Sequence, residues 1–149
     1  MTRKYLIAGL LACLTASLPC NTMANEADPA VQANARRMQL VIQVSDNDAA
    51  KWNLALNNAR NIQSELGRAN ADIEIIVYGP GIAMLKMDSP VAVRVAEAGA
   101  SGVKMVACQN TMATQKLSRD DMLPDIAYAK AGVLELAQRQ RQGWAYIRP

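Results

Sequence analysis

The chain has 149 residues, 51% of them hydrophobic, which suits one domain around one core. Its 16 basic and 13 acidic residues form neither a basic patch nor an acidic run, so no nucleic-acid partner is expected. There is no histidine, which excludes Ser-His-Asp and Cys-His catalysis and nearly all zinc sites built on that residue.

The N-terminus reads as a secretory signal. Arg3 and Lys4 precede an apolar run over residues 5–18, and Thr22 and Ala24 are the small residues of a cleavage site. The run is shorter than the ~20 residues a spanning helix needs. The expectation is a signal peptide over residues 1–24, cleaved after Ala24, and a periplasmic protein with no membrane segment beyond it. Cys13 and Cys20 fall in the signal, so the mature chain keeps one thiol, Cys108, and has no internal disulfide. A lone thiol in an oxidising compartment is either buried and inert, paired with another molecule, or used.

Residues 25–37 are polar and alanine-rich and are expected to form a loose leader to a domain over 38–149. Strand and helix patterns then alternate. A β-branched run at 40–44 predicts a strand, and Ser45-Asp46-Asn47-Asp48 supplies caps for a helix over 49–67 with Trp52, Ala55, Ala59, Ile62 and Leu66 on its buried face. Residues 73–78 predict the second strand. Gly79-Pro80-Gly81 turns into a helix with Pro80 at its first position, and a further helix over 90–98 ends at Gly99. Residues 103–108 predict the third strand, followed by a short helix capped by Asn110 or Thr111. Ser118-Arg119-Asp120-Asp121 opens one more turn, and 126–128 is a short fourth strand. A helix over 131–142, with Val133, Leu136, Ala137 and Gln140 on one face, leads to a last strand at 144–147. The alternation predicts an α/β fold with a mainly parallel sheet covered on both faces.

In such a sheet every strand-to-helix turn lies at the carboxyl edge, where ligands bind. Three turns there are chemically pointed: 45–48, 79–81 and 108–111. Gly79, Pro80 and Gly81 present a helix start with little side chain in the way, either an anion site or a plain tight turn. Cys108 ends a strand just before a helix. Unpaired N–H groups there favour a thiolate without any histidine, whereas burial among apolar groups makes the same residue an inert core cysteine. Asn58 lies about 40° from Ile62 on the helical wheel, where it reaches either the crevice or backbone. Asp120 and Asp121 are neighbours that share no helix face and read as helix-start charges.

Several segments in order resemble the DsrE/DsrF-like proteins. They are Gln43-Val44-Ser45-Asp46-Asn47-Asp48 leading into Lys51-Trp52 and Leu54-Ala55-Leu56-Asn57-Asn58, then Tyr78-Gly79-Pro80-Gly81-Ile82, then Ala107-Cys108-Gln109-Asn110-Thr111-Met112. Ala131-Gly132-Val133-Leu134-Glu135-Leu136 and the close at 142–149 complete the match. The resemblance implies a three-layer α/β/α fold with a five-stranded sheet, assembly into oligomers, and a cysteine after the third strand that carries sulfur as a persulfide. Cys108 matches that cysteine. The export signal departs from the cytoplasmic relay members. The function expected is therefore a periplasmic sulfur-handling protein without cofactor or metal. Cys108 would accept and pass on sulfane sulfur, Gly79, Pro80, Gly81, Asn110 and Thr111 would line the pocket, and Asn58 would stand at its edge. A homo-oligomer with a sulfur donor or acceptor protein as partner is expected. The alternatives are a non-catalytic oligomeric module binding a small ligand in the same crevice, and a redox-sensing thiol protein.

Overall fold

β-branched and aliphatic runs form three long or central strands: β1 (Met38–Val44), β2 (Ala71–Val77) and β3 (Lys104–Cys108). Two short strands, β4 (Ala127–Ala129) and β5 (Ala145–Ile147), flank them. The structure is a computed structural model that describes residues 37–149. The expected signal peptide and all of the expected leader except Arg37 lie outside the described residues.

The five described strands all pair in parallel, in the order β4-β3-β2-β1-β5, with Leu40 opposite Ile73 and Ile75 opposite Met105. The helices are α1 (Ala49–Leu66), α2 (Ala92–Ala100), α3 (Gln109–Thr114) and α4 (Gly132–Arg141). Topology divides them between the faces. From β1 to β4 the chain steps one strand at a time in one direction. Right-handed crossovers therefore place α1, α2 and α3 on the same face. From β4 to β5 it crosses the whole sheet the other way, which places α4 alone on the opposite face. The buried clusters follow this division. Leu40, Ile42, Ile73, Ile75 and Met105 pack under α1 and α2, and Val41, Ile76, Val106 and Ala129 pack under Leu136 of α4.

Two helices are turned differently from the periodicity reading. In α1 the buried face is Trp52, Ala55, Leu56, Ala59 and Gln63, while Leu66 is exposed. Gln63 is tolerated inside because its Nε2 donates to the Ser101 carbonyl at 2.9 Å and its Oε1 accepts from the Ser101 hydroxyl at 3.0 Å. In α4, Gly132 and Leu136 are buried and Arg139 is half-buried, whereas Val133, Ala137 and Gln140 face outward. The cause is Glu74, a carboxylate inside β2 on the α4 face. Arg139 binds it through Nε at 2.7 Å and Nη2 at 2.9 Å, and a buried charge costs far more than an exposed valine.

Smaller differences are local. The helix expected to end at Gly99 runs through it to Ala100, and the chain turns at Gly102 with φ +95°. The expected helix after Gly79-Pro80-Gly81 is a 3-10 helix over Gly79–Leu85. Asp120 and Asp121 do open a helical turn, and the Asp121 carboxylate closes a capping box with Ser118.

Candidate functional site

The carboxyl edge collects four turns: those after β1, β2, β3 and β4. Asp48 caps α1 by accepting from Ala50 N–H at 2.8 Å, and the Asp46 carbonyl accepts from the Trp52 indole at 2.7 Å. Lys51 donates to the Asp46 carboxylate at 2.9 Å and holds that carboxyl below its ordinary range. This first turn is thus committed to starting α1.

The chain leaves β3 onto one face of the sheet and leaves β4 onto the other. The crevice outside the strand ends therefore opens between β3 and β4. Cys108 stands there, as the last residue of β3 and the N-cap of α3, and is 5% exposed. The expected caps, Asn110 and Thr111, are instead the second and third residues of that helix. Pleat alternation from Val106 points the thiol to the α4 face. Gly132, the first residue of α4, donates its N–H to Cys108 Sγ at 3.2 Å.

Glycine at 132 eases this approach. A Cβ there would lie 3.1 Å from Tyr78 Cβ and 3.2 Å from Cys108 Cβ, close enough that these neighbours would have to shift by a few tenths of an ångström. The sequence places Gly132 within the family-like segment 131–136 but assigns neither it nor the turn after β4 to the site. Its one signal is a glycine opening a helix, where glycine is a poor helix former.

Thr111 links two of the expected site segments. Its Oγ1 accepts from Gly79 N–H at 2.9 Å, which orients the hydroxyl proton away from Gly79. Gly81 N–H is taken by the Ser45 carbonyl at 3.0 Å, and Pro80 has no N–H. The glycine turn therefore spends its donors on protein groups. Gly81 lets it lie against β1, because a Cβ at that position would meet the Val44 carbonyl at 2.9 Å. Asn110 is exposed, and its N–H donates to the Lys130 carbonyl at 3.1 Å. A groove of about 410 Å³ runs along this edge, lined by Gln109, Met112, Leu117, Arg119, Tyr128 and Lys130.

Asn58 is not brought to this site. It sits nine residues into α1, about 14 Å from the carboxyl edge at 1.5 Å per residue, and α1 covers the face opposite the thiol.

Burial pushes the Cys108 thiol up. Against it stand the Thr111 hydroxyl, the Gly132 N–H, and the N–H groups of Thr111 and Asn110, all favouring the thiolate. Together they prevail, and the pKa falls below the ordinary thiol value. Among the described residues no lysine or arginine contributes to this shift. Burial raises the pKa of Tyr78, with a further rise from Tyr146, so this neighbour is a neutral phenol and not a base. The arrangement favours the thiolate form of Cys108.

The sequence matches the DsrE/DsrF-like family over residues 38–149. The fold resembles that of a protein of unknown function, MTH1491, from Methanobacterium thermoautotrophicum. That likeness has 32% identity and a TM-score of 0.72, covering 75% of this chain and 99% of that one. It also resembles the ychN protein from E. coli, with 14% identity and a TM-score of 0.62 over 75% of this chain and 99% of that one. A conserved protein of unknown function, BT1422, from Bacteroides thetaiotaomicron has 19% identity and a TM-score of 0.61, covering 74% of this chain and 93% of that one. No curated protein matches the chain. The five-stranded parallel sheet, its layers and the family match agree, and the chain belongs to the DsrE/DsrF-like family.

Proposed function

We propose that this protein is a periplasmic sulfur carrier, in which Cys108 takes up sulfane sulfur as a persulfide and hands it on. The observation that carries this reading is a thiol that is 5% exposed yet has its pKa lowered by hydrogen bonds alone. A buried core cysteine without a task has its pKa raised. The Gly132 N–H at 3.2 Å from Sγ, brought by a different element, supports this reading.

Loading balances without an added oxidant. The Cys108 thiolate attacks the outer sulfur of a polysulfide or persulfide donor. The donor S–S bond breaks, its electron pair leaves with the donor as a thiolate, and Cys108 keeps the sulfur as Sγ–S⁻. An acceptor thiolate then attacks that outer sulfur, and Cys108 returns to the thiolate. The Thr111 hydroxyl and Gly132 N–H hold charge near Sγ before loading and after release.

The test is the intact mass of protein exposed to polysulfide, with Cys108→Ser as the blank. A gain of about 32 Da that a thiol reductant removes marks the persulfide; sulfinic acid has nearly the same mass but resists reduction. Transfer to an acceptor thiol completes the result. A thiol that reacts only after denaturation rejects the carrier and leaves the non-catalytic ligand-binding module. A sulfenic acid or mixed disulfide as the main product favours redox sensing.

Export belongs to the same proposal, supported by the charged, apolar and small-residue order of residues 1–24. The exported protein then begins at Asn25. Assembly with further copies is also part of it, as is a donor or acceptor protein that meets the carboxyl edge.

A further inference from the structure

At the other end of β3 from Cys108, a cavity of about 180 Å³ opens between α1 and α2. Arg60 and Arg68 come to it from α1 and the turn after it, and Arg94 comes from α2. Glu97 is the one acidic residue in its lining, and Leu56 and Val103 give it an apolar part. Val103, just before β3, is five residues from Cys108 at its far end, about 16 Å at the usual strand rise. The cavity is therefore separate from the thiol site.

Arg94 is fixed without being neutralised. Its Nη1 donates to Asn53 Oδ1, and its Nη2 donates to Asn57 Oδ1 at 2.7 Å. Asn53 is itself oriented, because its Nδ2 donates to the Ala49 carbonyl at 2.9 Å. Both acceptors are neutral amides. They place the guanidinium and leave its charge whole, with three of its five N–H groups unspent. Among the described residues neither Arg60, Arg68 nor Arg94 is in an ion pair. Gln63 and Ser101, also in the lining, satisfy each other and do not compete for the arginines.

We propose that Arg60, Arg68 and Arg94 form a binding site for a small tetrahedral oxyanion of the phosphate or sulfate type. Guanidinium forks match such oxygens in pairs, and a prepositioned one loses little freedom on binding. The size favours a small anion, since pockets for drug-sized ligands start at about 300 Å³. The purely structural alternative is that the arginines offset the carbonyl end of α1 and tie α2 to it. That role needs no ligand.

Calorimetric titration with inorganic phosphate at low ionic strength separates the two. The expected result is saturable binding at one site per chain, displaced by sulfate and absent with chloride at matched ionic strength. Arg94→Gln should weaken it at least tenfold. The double substitution Arg60→Gln/Arg68→Gln, on two exposed side chains that leave the core intact, should do the same. Cys108→Ser should bind as the unsubstituted protein does, so this result is independent of the sulfur-carrier reading. Absence of saturable heat, or equal affinity in the arginine variants, overturns the proposal.

Discussion

Thr111 connects the glycine turn to the thiol, and its value lies in the direction of one proton. Because Gly79 N–H occupies a lone pair of Oγ1, the hydroxyl is free to donate toward Cys108. Thr111→Val keeps the shape and removes the donor. A hydrogen bond to a charged group is worth ~1.5–3 kcal/mol, and a pKa unit corresponds to ~1.36, so the Cys108 pKa should rise by about one to two units. Alkylation at pH 7 should therefore slow, with the midpoint of its pH profile displaced upward; Thr111→Ser should restore both. An unchanged midpoint would remove Thr111 from the site. The sign extends to stability. A thiol with a lowered folded-state pKa contributes stability above the unfolded thiol value, and loses it as pH falls through the folded value.

At the scale of elements, α4 is held by charge as well as by Leu136. Glu74 is 5% exposed and accepts from Arg139 of α4 and from Lys104 of β3, the latter at 2.9 Å. Glu135 adds a second carboxylate to Arg139 at 2.9 Å, and the guanidinium lies over the Trp144 ring at 4.9 Å. Arg139→Met leaves Glu74 with Lys104 alone. The loss should be about 2 kcal/mol in urea unfolding, below the ~3–5 of a fully orphaned buried charge. The double variant Glu74→Leu/Arg139→Met should regain most of it, since the desolvated carboxylate is gone. A double variant no more stable than the single one would mean that the cluster is not the anchor of α4. Because α4 begins at Gly132, loosening it also weakens the N–H donor on Cys108, and the single variant should alkylate more slowly at neutral pH.

Among the described residues the sheet is covered unevenly. Three helices cover one face and α4 lies on the other, with Val133 63% and Leu134 55% exposed at its start, next to the donor of the thiol site. This exposed pair supports the proposed assembly with further copies, since a small domain gains by burying such surface. Light scattering at micromolar concentration should give a multiple of the protomer mass, and Leu134→Glu should shift it toward the monomer. A monomeric mass for the unsubstituted protein would refute the assembly.

Alternation of strands and helices, the caps at Asp48 and Ser118, and the place of Cys108 at a strand-to-helix junction could all be read from the sequence. Each depends on residues a few positions apart, within reach of local hydrogen bonding and hydrophobic period. Strand order was not legible, nor was the turn of α4 toward Glu74, 65 residues away in the chain. Of the groups that favour the Cys108 thiolate, those of Asn110 and Thr111 are local, but the Gly132 N–H and the orientation of the Thr111 hydroxyl are not. Gly132 is 24 residues on, and the proton of Thr111 is oriented by Gly79, 32 residues back. Asn57, and not its neighbour Asn58, proved to hold a partner on another helix, because the angle between α1 and α2 decides which amide meets Arg94. Sequence placed a thiol at a helix start, which is a local matter. Only the packing of α4 and of the glycine turn against it brought the Gly132 N–H to the sulfur and oriented the Thr111 hydroxyl.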